Sequence, residues 1–411
     1  MEQKHTPCYI GIDLNDRYAM ISYYQLNKEE PETVSTIAGS ELYQIPLIIA
    51  KRKGIGQWYY GEDARKMART CEMICVDCLL HRALAGESIR IEDEQFLAEE
   101  LLGLFLQKLI ALPQKLGNAT GCDRLVLTTE RLSKENMELF WRIAERIGFP
   151  KDKFMVIDHK ESFYYFALSQ QQPLWLHDVF LFEYEQDTMH FYCLKKDMKT
   201  TPKVVSISES SRMTLDDDRD GAFLRIQHKA FDNQIISSVY LVGDGFDGEW
   251  MKSSLNNLCR GRRAFIGKNL FSKGACYAAA VRDHEEEWPF LYMGENEMKF
   301  NISLKVRRQG GYEFYSLISA GRNWFESKGQ CEVILDGTPE IDFWKQWPHS
   351  REAKIETLEL TDLPNRPNKT TRLRITAQPV SDDRVSIEIK DLGFGELFRS
   401  TDKTWKYTMS M

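Results

Sequence analysis

The sequence predicts a duplicated α/β domain followed by an all-β sandwich. Three observations carry this expectation. An apolar hairpin followed by strand–helix alternation occurs twice before residue 285. After the acidic run His284-Glu285-Glu286-Glu287 only short alternating segments remain, split by Gly, Pro, Asn and Asp. The length of 411 residues also exceeds what one ordinary core organises.

The elements follow in order. Strands at 8–14 and 18–26 flank the polar turn Asn15-Asp16-Arg17, a hairpin signature, and 44–50 with 57–60 form a second pair. Apolar residues at helical spacing predict helices over 62–85 and 93–112. A strand at 123–129 leads to a helix over 133–147. Ser133 introduces it, Asn136 and Glu138 stand in its first turns, and Gly148 stops it. A strand at 154–157 and a helix at 159–170 precede the second hairpin, 178–184 with 188–196. Then come strand 237–242, helix 249–259, strand 263–266 and helix 272–283. The β region holds segments 298–306, 312–318, 331–335, 354–360, 371–379 and 384–390. The expected division is therefore 1–285, a linker at 286–297, and a sandwich at 298–411.

Composition narrows the functional classes. A net charge of −7 opposes nucleic-acid and anionic-membrane partners, which need a basic field. No apolar run approaches the roughly 20 residues of a spanning helix. Met1-Glu2-Gln3-Lys4-His5 runs straight into a strand, so no signal peptide is expected. Nine cysteines, an odd number, several within apolar helical patterns, fit reduced thiols and a cytoplasmic setting.

The first hairpin carries Gly11-Ile12-Asp13-Leu14-Asn15-Asp16 and the second Glu183-Tyr184-Glu185-Gln186-Asp187-Thr188. Between and after them stand Tyr60-Gly61-Glu62-Asp63-Ala64, Val239-Tyr240-Leu241-Val242-Gly243-Asp244-Gly245, and Asn269-Leu270-Phe271-Ser272-Lys273-Gly274-Ala275 before Ala278-Ala279-Ala280. In this order the segments resemble the actin/Hsp70 superfamily. The resemblance implies an actin-like ATPase fold of two ribonuclease-H-like halves. It implies two phosphate-binding turns, G-I-D-L-G-T and D-L-G-G-G-T, and an adenosine motif V-x-L-V-G-[GD]-[GS]. Such turns work by aiming backbone N–H groups at phosphate oxygens, while a carboxylate holds water on a metal.

On that resemblance Gly11, Asp13, Asn15, Thr188, Gly243, Asp244 and Gly245 would bind ATP or ADP with Mg²⁺, and Asp13 and Glu183 are the weak catalytic candidates. The departures are large. Asn15 replaces a turn glycine, and Glu185, Gln186 and Asp187 replace three more, adding bulk and negative charge. Leu79 stands where the family's phosphate-facing lysine belongs, with Arg82 on a different turn. The stretch between the second hairpin and Val239 is too short for the lobe that covers the adenine.

The C-terminal part is similar to the Hsp70 substrate-binding sandwich. Trp288-Pro289-Phe290-Leu291-Tyr292 resembles the interdomain linker. Leu317-Ile318-Ser319-Ala320-Gly321-Arg322-Asn323, Leu358-Glu359-Leu360-Thr361-Asp362-Leu363-Pro364-Asn365-Arg366-Pro367 with Arg372-Leu373-Arg374-Ile375, and Asp391-Leu392-Gly393-Phe394-Gly395-Glu396 resemble sandwich motifs. With the sequence ending at Met411, the family's helical lid is not expected here. Peptide-contacting loops are expected at 307–311 and 338–349; the alternative reading of Phe343, Trp344 and Trp347 in the latter is that they cap the core or dock onto the first domain.

Other signals compete. Gly243, Gly245 and Gly248 spell G-x-G-x-x-G, the fingerprint of a Rossmann oxidoreductase, but the next strand ends in Gly267-Lys268 without an acidic residue. Gly261 through Gly267-Lys268 has one residue too many for a P-loop. Cys71, Cys75 and Cys78 have radical-SAM spacing, yet i, i+4, i+7 reads as buried thiols on one helix face. Asp216, Asp217, Asp218 and Asp220 read as a solvated loop, and Arg260, Arg262, Arg263 and Lys268 as a surface patch; His159 and Glu161 stand where the resemblance implies a water-orienting Glu or Gln, but read as exposed helix residues. The reading reached is an Hsp70-like, chaperone-like or scaffold protein with a pseudo-ATPase domain, binding protein or peptide through its sandwich. A slow Mg-ATPase and the Rossmann enzyme are the alternatives, and oligomeric state stays open.

Overall fold

Every residue of Cys8–Leu14 is buried, as expected of a strand covered on both faces. This strand, β1, anchors a computed structural model that describes residues 6–410 apart from 38, 118, 120 and 186. Two compact units emerge: Met1–Lys195 with Ile207–Trp288, and Lys196–Ser206 with Pro289–Met411.

The first unit contains two sheets of one design. In the first, β1 pairs antiparallel with β2 (Tyr18–Gln25) and parallel with β3 (Arg124–Thr129), which pairs parallel with β4 (Phe154–Asp158). Glu32–Thr33 lies beyond β2. In the second, β5 (Asp178–Glu185) pairs antiparallel with β6 (Thr188–Asp197) and parallel with β8 (Ile236–Val242), which pairs parallel with β9 (Arg263–Gly267). Beyond β6 comes β7 (Lys203–Glu209), of which Ile207–Glu209 belongs to this unit. Each sheet thus repeats a hairpin, a further strand beside its second arm, and two parallel strands on the hairpin's other side.

Helix α1 (Ala98–Ile110) and α2 (Lys134–Arg146) are tied by Arg142 and Arg146 reaching Glu99. Ser133 caps α2 by accepting from Asn136 N–H at 3.2 Å, satisfying one of the free donors at a helix start. Helices α3 (His159–Leu168) and α5 (Leu270–Asp283) cross backbone to backbone. A Cβ on Gly274 would collide with the Ser162 carbonyl, and one on Gly11 with the Ser272 carbonyl of α5. Between them in sequence, α4 (Arg219–Ala230) starts at Asp218, whose carboxylate accepts from Gly221 N–H at 3.1 Å.

Several expected elements are corrected. The helix over 62–85 is a helix Gly61–Ala68, a strand Met73–Val76 and a short helix Leu79–Leu84, because Met73–Val76 pairs with Ile49–Arg52. The helix over 93–112 begins only at Ala98, since Glu94–Leu97 pairs with Ser88–Ile91. The helix over 249–259 shortens to Ser253–Leu258. The linker at 286–297 includes Phe290–Tyr292, a strand paired in parallel with Lys203–Val205 of the same unit.

The second unit is a sandwich of two antiparallel four-stranded sheets. Their strands are β10 (Asn301–Arg308), β11 (Gly311–Ile318), β12 (Gly329–Ile334), β13 (Glu340–Gln346), β14 (Ala353–Glu359), β15 (Arg372–Ser381), β16 (Arg384–Gly393) and β17 (Thr404–Ser410). The orders are β11-β10-β13-β14 and β12-β15-β16-β17. Alternate residues of β13 and β16 face the shared core, which holds Phe300, Phe343, Ile375, Ile387 and Met409. The expected peptide loop at 338–349 is therefore mainly strand β13, with Phe343 fully buried.

Candidate functional site

Asp13 and Glu183 occupy equivalent places, each five residues before the return strand of its hairpin. Asp13 is 2% exposed, and its Oδ1 lies 2.8 Å from His159 Nε2. His159 opens α3, is itself buried, and stacks on Phe271 with centroids 3.8 Å apart and planes 8° apart. Burial opposes a charged imidazole, but Asp13's charge and hydrogen bond, with Glu183 and Glu130 further off, outweigh it and push the ring up to about 9. The ring is thus held protonated at neutral pH against Asp13.

Glu183 is held below its usual range: burial works against its charge, and His190, at 3.3 Å, together with the charges of His159 and Arg212, prevails. His190 Nε2 is also 2.9 Å from Tyr192 Oη. The expectation that His159 and Glu161 are exposed is overturned, because α3 is enclosed along its first turn, where Lys160, Glu161 and Ser162 are buried too.

The first turn closes on itself. Asn15 N–H donates to Tyr18 O at 3.1 Å, and Asn15 Oδ1 accepts from Arg17 N–H at 2.9 Å and Tyr18 N–H at 3.0 Å. Those are backbone donors a phosphate would need. Asp16 Oδ1 accepts from His81 N–H. From the same turn, Arg17 Nη2 donates to Glu185 Oε2 at 2.7 Å and Tyr18 Oη to Glu185 Oε1 at 2.8 Å. Burial, together with Glu183 and Asp13, raises Glu185 against the pull of Tyr18 and Arg17. Thr188 Oγ1 donates to Glu185 O, so it closes its own turn; Gln186 lies outside the described residues.

The glycines expected to bind nucleotide have packing roles. Gly11 admits α5. Gly243 has φ 109°, a backbone that favours glycine, and a Cβ there or on Gly245 would strike Tyr184. Gly245 O accepts from Arg219 Nη2 at 2.9 Å and Trp250 Nε1 at 3.1 Å. The Arg219 guanidinium lies 4.6 Å from the Trp250 ring centroid and 5.3 Å from that of Tyr184, while Phe246 stacks parallel to Trp250. Asp244 takes Lys268 at 2.9 Å and Gln44 at 3.3 Å. The chain's own side chains line this loop.

The Rossmann premise fails here. After Gly243 comes a single 3₁₀ turn, Asp244–Phe246, and the next helix starts at Ser253, so no helix N-terminus follows the glycines directly. The cysteine reading is also corrected: Cys75 is exposed in a strand, Cys78 is exposed with φ 51°, and Cys71 is partly exposed. Asp220 is not a solvated loop residue. It accepts from Ser253 N–H and Ser254 N–H, holding the start of the next helix, a role its acidic neighbours obscure in sequence. Arg262 lies over Phe231 at 4.3 Å. Among the described residues no three His, Cys, Asp or Glu side chains converge as a metal-holding group, and no helix is long and apolar enough to cross a membrane.

Two like sheets, a polar lock joining their hairpins and a separate sandwich define an α/β protein built around an occupied interior. Residues 30–295 match the C-terminal model of a family of unknown function, DUF5716, and the chain belongs to that family. Residues 297–411 match a domain of unknown function, DUF8552. No curated protein matches the chain.

Proposed function

We propose that this protein is a binding scaffold with the architecture of the actin/Hsp70 superfamily, in which an ATPase-type site has become a structural lock. The two sheets of common order support the duplicated fold. One observation carries the functional reading: the first hairpin turn uses the backbone donors of residues 15, 17 and 18 internally, beside an Asp13 already bound by a buried cation. A phosphate arriving there would have to displace both. The α/β unit then serves as a pseudo-ATPase frame, and the sandwich makes the contacts to protein or peptide. A cytoplasmic setting accompanies this reading.

Melting with nucleotide tests it. A ligand at about 100 times its dissociation constant stabilises by roughly 2.7 kcal/mol, which a thermal shift detects. Mg-ATP and Mg-ADP are expected to leave the melting temperature unchanged and to show no turnover above background. Steady ATP hydrolysis that disappears in Asp13→Ala would overturn the lock and favour the slow Mg-ATPase using Asp13 and Glu183. A shift with NADH alone would restore the dinucleotide reading.

A further inference from the structure

The register of the β11-β10-β13-β14 sheet assembles an exposed aromatic and cationic surface on its outer side. Arg307 stands opposite Tyr312, Lys305 opposite Phe314, and Ser303 opposite both Ser316 and Trp344, which in turn faces Ile355. Directly opposed residues share a face. Tyr312 is 71% exposed, Phe314 59% and Ile355 47%. Phe314 meets Trp344 edge-on at 5.1 Å, and Lys305 Nζ lies 5.0 Å from the Tyr312 centroid and 6.0 Å from that of Trp344.

Charge sets the occupant. Arg308 pairs with Glu313; Lys305 and Arg307 have no ion-pair partner among the described residues, though the charge of Arg307 acts on Asp336, which Lys369 already pairs. The acids Asp342, Glu340 and Glu359 lie on the other two strands, and Asp342 is engaged by Thr357 Oγ1 at 2.6 Å. We propose that the half of this face formed by Lys305, Arg307, Tyr312, Phe314 and Trp344 docks an acidic, apolar segment of a partner protein. This rests on reading the chain as a binding protein and names the chemistry of what is bound. Tyr, Trp, Phe and Arg are enriched at protein interfaces, and Tyr312, Phe314, Trp344 and Arg307 are of these types. Two unpaired cations in a chain of net charge −7 are too few to hold a polyanionic nucleic acid. Symmetric pairing with a second copy would set the acidic strands of this face, with Glu340, Asp342 and Glu359, against its cationic half, so a dimer is an outcome the test reads.

The test is fluorescence anisotropy on the full chain with two labelled peptides, one alternating Glu with Leu and Phe, the other carrying Lys in place of every Glu. The Glu peptide should bind saturably and the Lys peptide should not. Lys305→Glu with Arg307→Glu should weaken the Glu peptide at least about tenfold, worth about 1.4 kcal/mol, and should gain affinity for the Lys peptide. Phe314→Ser should weaken binding while the melt stays cooperative and falls only slightly, through loss of the Trp344 contact. Equal binding of both peptides, no saturable binding by either, tighter binding of an oligouridine, or a dimer abolished by Phe314→Ser would each overturn the proposal. ATP hydrolysis would overturn the lock but leave these outcomes untouched, so the two readings fail separately.

Discussion

His159 and Asp13 carry opposite charges across a contact that solvent barely reaches, so neither tolerates loss of the other. His159→Ala leaves a buried carboxylate unpaired and should cost about 3–5 kcal/mol, read by denaturant unfolding. Asp13→Asn in that background should recover part of the loss, a non-additivity expected only of direct partners. The pair also sets a pH dependence. An imidazole raised from 6.5 to about 9 on folding gives stability that is fully present below about pH 6.5 and lost as pH rises through about 9. Glu183, held below its usual range, has the opposite sign: its contribution is lost on acidification. Unfolding midpoints at neutral pH and near pH 9.5 should therefore differ more in the parent than in His159→Gln, whose remaining difference comes from the buried thiols of Cys8, Cys122, Cys276 and Cys331, all raised by burial. Sequence made Asp13 visible through its place in a hairpin. It singled out His159 but not its burial or its partner, because a histidine opening a helix looks the same whether the helix is enclosed or at the surface.

At the scale of elements, glycines separate close crossing from mere permissiveness. Gly274→Ala must push α3 from α5 against the Ser162 backbone and should destabilise by about 1–3 kcal/mol. Gly103, in α1, is a contrasting site. A Cβ there meets Ile143 at 3.7 Å and Ile147 at 3.8 Å, ordinary contact, so Gly103→Ala should stabilise by about 0.5–1 kcal/mol. Thermal melts of the two variants check both signs. Strong periodicity made β1, β2, α2 and the hairpin β5–β6 legible. Met73–Val76 and Glu94–Leu97 were not, because short segments with mixed patterns take their state from a pairing partner distant in sequence.

At the scale of the molecule, the sandwich has its own core, including Phe300, Phe343, Ile375, Ile387 and Met409, and its own buried fork of Arg366 on Asp391 with both bonds at 2.8 Å. Residues 297–411 expressed alone should fold and melt cooperatively, followed by tryptophan fluorescence. A non-cooperative melt would show that the core requires the other segment of its unit, Lys196–Ser206, or the α/β unit itself. A fragment beginning at 288 retains Phe290–Tyr292 without its partner Lys203–Val205. Its strand edge should be open, and it should aggregate more readily than 297–411 on concentration, measured by light scattering.

By itself the sequence determined the alternation of strands and helices, the change of character after the acidic run, and the positions of Asp13 and Glu183 on two hairpins. These rest on local pattern: period, turn residues and composition act over a few neighbours. Tertiary structure alone decided that Asp13 meets an imidazolium from a helix 146 residues away. It alone joined Glu185 to Arg17 and Tyr18, turned the glycines of the loop at 243–245 toward Tyr184, and made Trp344 part of a sheet surface rather than a loop. The physical reason is common to all of these. Burial and ion pairing are properties of what the folded chain brings alongside a residue, and a side chain's charge and exposure follow from that company rather than from its neighbours in sequence.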